Sequence, residues 1–467
     1  MSTASLFTLH ANNTTQLSST HAHIHTNASS SVPQLYVYPI KALRPIPLQH
    51  AQLTPQGIKY DRTFMLYHVK TKPQANDGSS FTTSTELKKM QLSSYPQCAL
   101  FEQTILSRDN GQKEVLVKWH APSLPTEGTG RESGEELGKE LEQAERERLK
   151  RLETDTITVE LDPPPRIDEL EKMEVNLHGS PTTCYKVGEE YDRWFLERFG
   201  FEVVFVYLGD GKRQILGTSL LPPATSQQQQ QPPGGGGGGW LSTLTSLTSW
   251  FPTVPISIQA EREEDRKPKP WITFTDCAPL LITSESSLSN VSARLAPDMD
   301  STSSESTPLQ VPMYKMRPNL VLDGEGEEAW AEDYWGELVV TSSSNCSPTN
   351  GNANGKTKIT KTKLYLTGNC VRCTSLNVDY DTGKPAKGEM GTVLKKLMKD
   401  RRVDSGIKWS PVFGRYAFVE ESVGDGGDEQ EQEEEREEKE PGVWISVGDE
   451  VQVTRRNEER TVMDWPF

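Results

Sequence analysis

The chain has 467 residues and sets 50 Lys plus Arg against 66 Asp plus Glu, a formal net charge of −16, with over half of the excess in residues 421–440 (11 acidic, 2 basic). A general nucleic-acid binder would need a basic face to displace counterions, and the sequence offers none. With 35 Gly, 31 Pro and 34% hydrophobic residues, a length that allows about three domains reads as two compact ones with long insertions.

Residues 1–32 are rich in Ser, Thr, Asn and His but lack the Arg of a transit peptide and the apolar core of a signal peptide, so they read as a disordered tail. No run of about 18 apolar residues exists to cross a bilayer as a helix. Six scattered cysteines are too few for a disulfide framework and place the chain in a reducing compartment.

From residue 33 to 209 the pattern is mostly β. LYVYPI, KALRPIPL and AQLTPQGIKYDRTFMLYHV alternate like short strands, and Pro39, Pro45 and Pro47 forbid a helix. CALFEQTIL (98–106), EVLVKW (114–119) and TITVEL (156–161) are further strands. A charged insertion at about 122–154 reads as a solvated helix with only Leu137, Leu141, Leu149 and Leu152 as apolar candidates. Val187, Tyr191, Trp194, Phe195 and Arg198 recur at helical spacing, which predicts a core helix ending near Gly200 and followed by the strand FEVVFVYL.

Residues 210–268 form a low-complexity linker with a Gln run and six glycines. Within it, Trp240, Leu241, Leu244, Leu247, Trp250 and Phe251 would share one helical stripe. Segment 240–251 reads either as a patch docking on its own protein or as a peripheral membrane contact. Residues 269–455 look structured again, with an acidic insertion at 421–440 interrupting a hairpin between YAFVEE and VWISVGDEV. That insertion reads as a neutral loop expansion or a docking surface for a basic electron carrier. GTVLKKLMKDRR (391–402) is a short basic helix, VWISVGDEVQV a closing hairpin, and 456–467 a C-terminal tail.

The pair Cys370 and Cys373, in NCVRC, has three chemical readings. Zinc would need a second ligand pair, a thioredoxin-like dithiol would need a βαβ context, and a lone thiolate would hold a soft metal with Arg372 lowering its pKa. Two buried structural cysteines are the bland alternative.

NCVRCTSLNVDYDTG, the preceding RPNLVLDG and AEDYW, and the following PVFGRYAFVE and ISVGDEVQV occur in an order that resembles the MOSC family, the C-terminal domain of molybdenum cofactor sulfurases. YPIKAL and GIKYDRTFMLY resemble the N-terminal β-barrel that accompanies MOSC in mitochondrial amidoxime reducing components and their bacterial relatives. The matched pieces span about residues 34–455. The implied fold is α+β and β-rich: a MOSC N-terminal β-barrel domain plus a MOSC β-barrel domain, with long disordered insertions.

The resemblance implies a molybdenum cofactor (Mo-molybdopterin) between the domains, with Cys373 as the metal ligand and catalytic residue. Lys41, Arg62 and Arg317 match basic positions that contact the cofactor, Asn319 and Arg372 are neighbours, and Tyr416 matches a position near it. Three departures remove hydroxyls: Ala42 for Ser, Cys277–Ala278 for Thr-Ser, and Val371 for Ser. Cys277 would add a second thiol near the pocket or be a small buried hydrophobe.

The implied function is an oxidoreductase reducing N-hydroxylated small molecules, with a b-type cytochrome and its flavin reductase as donors. The alternatives are a carrier of cofactor or of sulfur on Cys373, and a scaffold that has lost the cofactor. Pyridoxal phosphate binding is a family-level association only, without a candidate lysine here. The default location is cytoplasmic, with the mitochondrial outer surface as the alternative.

Overall fold

The computed structural model describes residues 29–75, 81–122, 136–223, 270–295, 308–324, 326–345, 357–420 and 443–466. The segments 1–28, 240–251 and 421–440 lie outside the described residues, and so do the expectations that concern them.

Strands dominate, as the alternating sequence predicts. A nine-stranded sheet runs in the order Ser29–Ser31, Glu450–Arg456, Trp335–Asn345, Thr357–Val371, Val412–Val419, Leu280–Ser284, Leu320–Leu322, Gln34–Val37 and Ile46–Leu48. Only Leu280–Ser284 and Leu320–Leu322 pair in parallel. The first and eighth strands are separated in the chain by just Val32 and Pro33, so the sheet must curl until its two ends nearly meet, the geometry of a barrel. The N-terminal region thus lends three strands to a sheet whose other six come from residues 280–456.

A second sheet, all antiparallel, has the order Lys172–Leu177, Ser180–Lys186, Val203–Tyr207, Phe64–Ala75, Phe81–Lys89. Successive side chains alternate faces. Phe64, Leu66 and Phe205 enter the main core, while Met65, Tyr67, Val204 and Val206 pack with Phe274 on the other side. The helix Glu189–Phe199 covers the main core with Trp194 and Phe195. Acidic residues occupy its first turn, and Gly200 ends it at φ 78°, as the spacing predicts. Arg198 stacks on Trp194 with its guanidinium carbon 3.6 Å from the ring centroid, and donates to Leu152 O and Asp155. That contact pins the end of the helix Glu136–Thr154, whose Leu152 is buried, so the charged insertion is anchored at its C-terminal turn.

Several expected boundaries move. The ordered chain begins before residue 33, because Ser29–Ser31 pairs with Glu450–Arg456 and Val32 is fully buried. The linker begins after residue 210: Arg213–Gln214 pairs with Trp271–Ile272, and Leu220 is buried. Residues 456–467 are not a loose tail, since Met463 and Trp465 are buried and the Trp465 indole donates to His178 O at 2.9 Å. The closing hairpin divides. Val443–Ser446 pairs with His50–Thr54, whereas Glu450–Arg456 joins the nine-stranded sheet, so the acidic insertion links two sheets rather than two arms of a hairpin. Cys98 to Leu100 form a 3-10 turn before the strand Phe101–Ser107, and the basic helix is confined to Val393–Leu397 behind the 3-10 turn Glu389–Thr392.

Among the described residues no helix is long and apolar enough to cross a membrane.

Candidate functional site

Where the two regions of the chain meet, a cleft of about 110 Å³ gathers Lys41, Arg62, Arg317, Asn319, Arg372, Cys373 and Tyr416. These are the residues the sequence reading singled out, drawn from positions 41 to 416. Ala42, Ala278 and Val371 also line it, so the sites of the missing hydroxyls face the same space. Cys277 itself does not line the cleft. It is buried against Cys370, Tyr416 and Trp465, and burial raises its thiol pKa well above the ordinary value: it is a core hydrophobe.

Local backbone explains the convergence. The strand Thr357–Val371 shifts register against Val412–Val419 twice, between Leu366 and Gly368 and between Asn369 and Val371. Such irregularities re-aim a strand end, and here they deliver Arg372 and Cys373 to the cleft. Gly414, at φ 80°, lets the neighbouring strand approach Leu280–Ser284; a Cβ there would lie 2.7 Å from Ile282 O. Ala42, Arg62 and Arg317, all lining the cleft, adopt left-handed backbone at φ 74°, 51° and 53°. Such conformations cost of order 1–3 kcal/mol each for a residue with a Cβ, and they concentrate at functional sites.

Each cation has a distinct tether. Lys41 donates to Phe274 O at 2.7 Å and Asp276 Oδ1 at 2.5 Å. Burial lowers its pKa to about 8 against the opposing pull of Asp276. Arg62 is held by Asp61 and by Asn319 Oδ1 at 3.2 Å. Arg62 and Arg317 both lie against the Tyr38 ring, 4.5 and 4.4 Å from its centroid, which spaces two like charges with an electron-rich face. Arg372 donates to Cys370 Sγ at 3.0 Å and Met316 O at 2.9 Å. Its hydrogen bond to a thiol therefore goes to the buried Cys370. Cys373 is exposed, and its Sγ sits 3.2 Å from Ser375 Oγ.

A family model for the MOSC domain matches residues 269–452, and one for the MOSC N-terminal beta barrel domain matches 29–131, together well over half the chain. The chain belongs to the MOSC family. It is 30% identical over 162 residues to mitochondrial amidoxime-reducing component 1 of Homo sapiens, covering 34% of this chain and 37% of the relative. Mitochondrial amidoxime reducing component 2 of Bos taurus is 30% identical over 151 residues, 32% of this chain and 35% of the relative. The aligned stretch thus spans about a third of the curated relatives it matches.

Three residues of this MOSC protein escaped the sequence reading. Asp276, half exposed in the cleft, joins Lys41 to His178, whose Nε2 is 3.3 Å from Asp276 Oδ1. Burial would raise the Asp276 pKa, but Lys41 and His178 outweigh it and hold the carboxyl well below its ordinary value. Burial lowers the His178 pKa, against Asp276. Its Nδ1 lies 3.2 Å from Lys89 Nζ, and its Nε2 lies 3.0 Å from Gln91 Nε2 as well as facing Asp276. Arg213, fully buried, donates to Thr273 O, Thr275 O and Leu177 O and so pins both the Asp276 segment and the His178 turn.

Asn319 lines the cleft and also ties its walls together. Its side chain accepts from Leu281 N at 3.1 Å and from Arg62, and donates to Tyr36 O at 3.3 Å, so its capacity is spent on joining three segments. Asn319→Ala strands a buried N–H and an arginine, and is expected to cost about 1–3 kcal/mol of stability in urea unfolding.

Proposed function

We propose that the cleft binds a pyranopterin molybdenum cofactor and that the protein reduces N-hydroxylated compounds with electrons from an external donor. The observation that carries this reading is the convergence of Lys41, Arg62, Arg317 and Arg372 on one cleft with the exposed Cys373 thiol. The donor set suits the group: a phosphate dianion needs cations and N–H donors, and a soft metal accepts a thiolate. Two buried polar atoms of lining residues, Thr275 Oγ1 and Arg372 Nε, have no hydrogen-bond partner among the described residues, and they would supply acceptor and donor positions for a polar ligand. Ala42, Ala278 and Val371 offer no hydroxyl, so the four cations, with Ser93, Thr275 and Ser375 of the lining, would hold the anion.

When bound, the cofactor supplies the two-electron couple for reducing an N–O bond. Lys41, Arg62, Arg317 and Arg372 would hold its phosphate and fix its position, and Cys373 would ligate the metal. Reduction of an N–OH group to N–H releases water and consumes two electrons and two protons. Asp276, ionised and lining the cleft, would hold Lys41 charged and in place toward the phosphate and would anchor His178 beside it. The electrons would come from two ferrous haems of a b-type cytochrome, re-reduced by its flavin enzyme. This donor, like the substrate class, is drawn from the amidoxime-reducing relatives.

The test is metal and pterin analysis of protein from a host that makes the cofactor, followed by benzamidoxime reduction with a reduced dye as donor. Near-stoichiometric molybdenum with turnover is the expected result. Cofactor without turnover would assign a carrier, and absence of both molybdenum and pterin would refute the proposal.

A further inference from the structure

Although the chain is strongly acidic, residues 384–409 carry eight basic and three acidic side chains. The acids are all engaged: Glu389 pairs with Lys396, Asp400 with Arg294, and buried Asp404 accepts from Asn369 and Met463 N. Lys384, Lys387, Lys395, Lys399, Arg402 and Lys408 remain exposed, their side chains without an ion pair or hydrogen bond among the described residues. Beside them Trp409 is 78% exposed, the most exposed large apolar side chain described. Val462 is half exposed next to Met463, whose carbonyl packs on Gly406.

This segment forms one layer against the Cys373 loop. Ala386 N donates to Asn377 O at 2.7 Å, Leu394 N to Asn377 Oδ1 at 3.1 Å, and Val412 N to Arg401 O at 2.8 Å. Arg372 N donates to Pro411 O, two residues beyond Trp409. The segment that bears the free cations therefore packs on the loop that carries Cys373 into the cleft.

We propose that this layer is the docking surface for an acidic electron-carrying protein, whose haem would then lie beside Cys373. This rests on the function proposed above. Trp and Arg are the side chains that anchor protein interfaces, and a cationic rim steers an acidic partner at the short range that salt permits. A flat anionic membrane fits less well. One exposed Trp gives little apolar area to bury in lipid.

The experiment titrates the full chain with the soluble domain of an acidic b-type cytochrome, by calorimetry at low and high salt. Against wild type, Lys395→Glu with Lys399→Glu should weaken binding at least tenfold and flatten its salt dependence, and Trp409→Ala should weaken it about thirtyfold. Unchanged affinity in both variants overturns the proposal. So does binding to anionic vesicles, rather than to the cytochrome, that the same substitutions abolish. Cytochrome binding that appears only after residues 421–440 are deleted would assign the layer to the chain's own acidic run, which also overturns it. Dye-driven amidoxime reduction does not use this face. Its loss in wild type would speak against the proposed function, while its survival in variants that no longer accept electrons from the cytochrome would isolate the docking step.

Discussion

Cys373→Ala is expected to lower the molybdenum content at least tenfold while leaving the fold untouched. The thiol is exposed, its one hydrogen-bond neighbour among the described residues is Ser375, and surface changes of this kind stay within about 0.5 kcal/mol. Cys370→Ala is the contrasting variant. Cys370 is 4% exposed and accepts from Arg372, so its removal leaves part of a buried guanidinium unpaired and should cost about 1–3 kcal/mol in urea unfolding. Metal analysis and unfolding curves on the two variants thus give opposite patterns. If Cys373→Ala kept its molybdenum and Cys370→Ala lost it, the assignment of the metal ligand would be reversed.

The two cysteines sit only three residues apart, and the sequence could not have divided their labour by spacing alone. Their difference comes from the strand irregularity at Asn369 and Val371, a backbone event with no residue signature. What was legible followed from periodicity. The helix Glu189–Phe199 announced itself through Trp194, Phe195 and Arg198 and stopped at Gly200, and the strands Lys113–Trp119 and Thr156–Asp162 were visible from β-branched runs. Long-range pairings were not. Arg213 was assigned to a linker because glycines and glutamines follow it, although its guanidinium is fully buried.

His178 was missed for a different reason, and a signal existed. His178 and Gly179 join Lys172–Leu177 to Ser180–Lys186 with φ of 57° and 82°, so both turn residues are left-handed, as a two-residue hairpin of the I′ type requires. A residue–glycine pair between two β-like runs marks such a turn, and noticing it would have placed His178 at a hairpin tip. That the tip meets Asp276 depends on Arg213 tying both segments together, which no local pattern encodes. The C-terminal residues were misjudged because Asn457 to Arg460 are polar. The anchors Met463 and Trp465 come after them, too few to form a periodic pattern.

Retention of a phosphate-bearing cofactor should fall as pH rises above about 8, by up to tenfold per unit. Burial brings the Lys41 pKa to about 8 in the unliganded cleft, and a bound dianion favours the ammonium and raises that value. Between the two values binding must take up a proton, so affinity declines across that window and is flat below it. The protein's own stability should move the other way. An unfolded lysine titrates near 10.4, so between pH 8 and that value the unfolded chain holds more protons at Lys41 than the folded one, and this residue's contribution to stability rises with pH. Lys41→Arg separates the two effects, because a guanidinium stays charged throughout. Pterin content after equilibration at pH 7, 8 and 9.5, beside melting curves of the cofactor-free protein, measures both. Equal pH dependence of retention in wild type and Lys41→Arg would remove Lys41 from the anion site and leave Arg62, Arg317 and Arg372 to hold the phosphate.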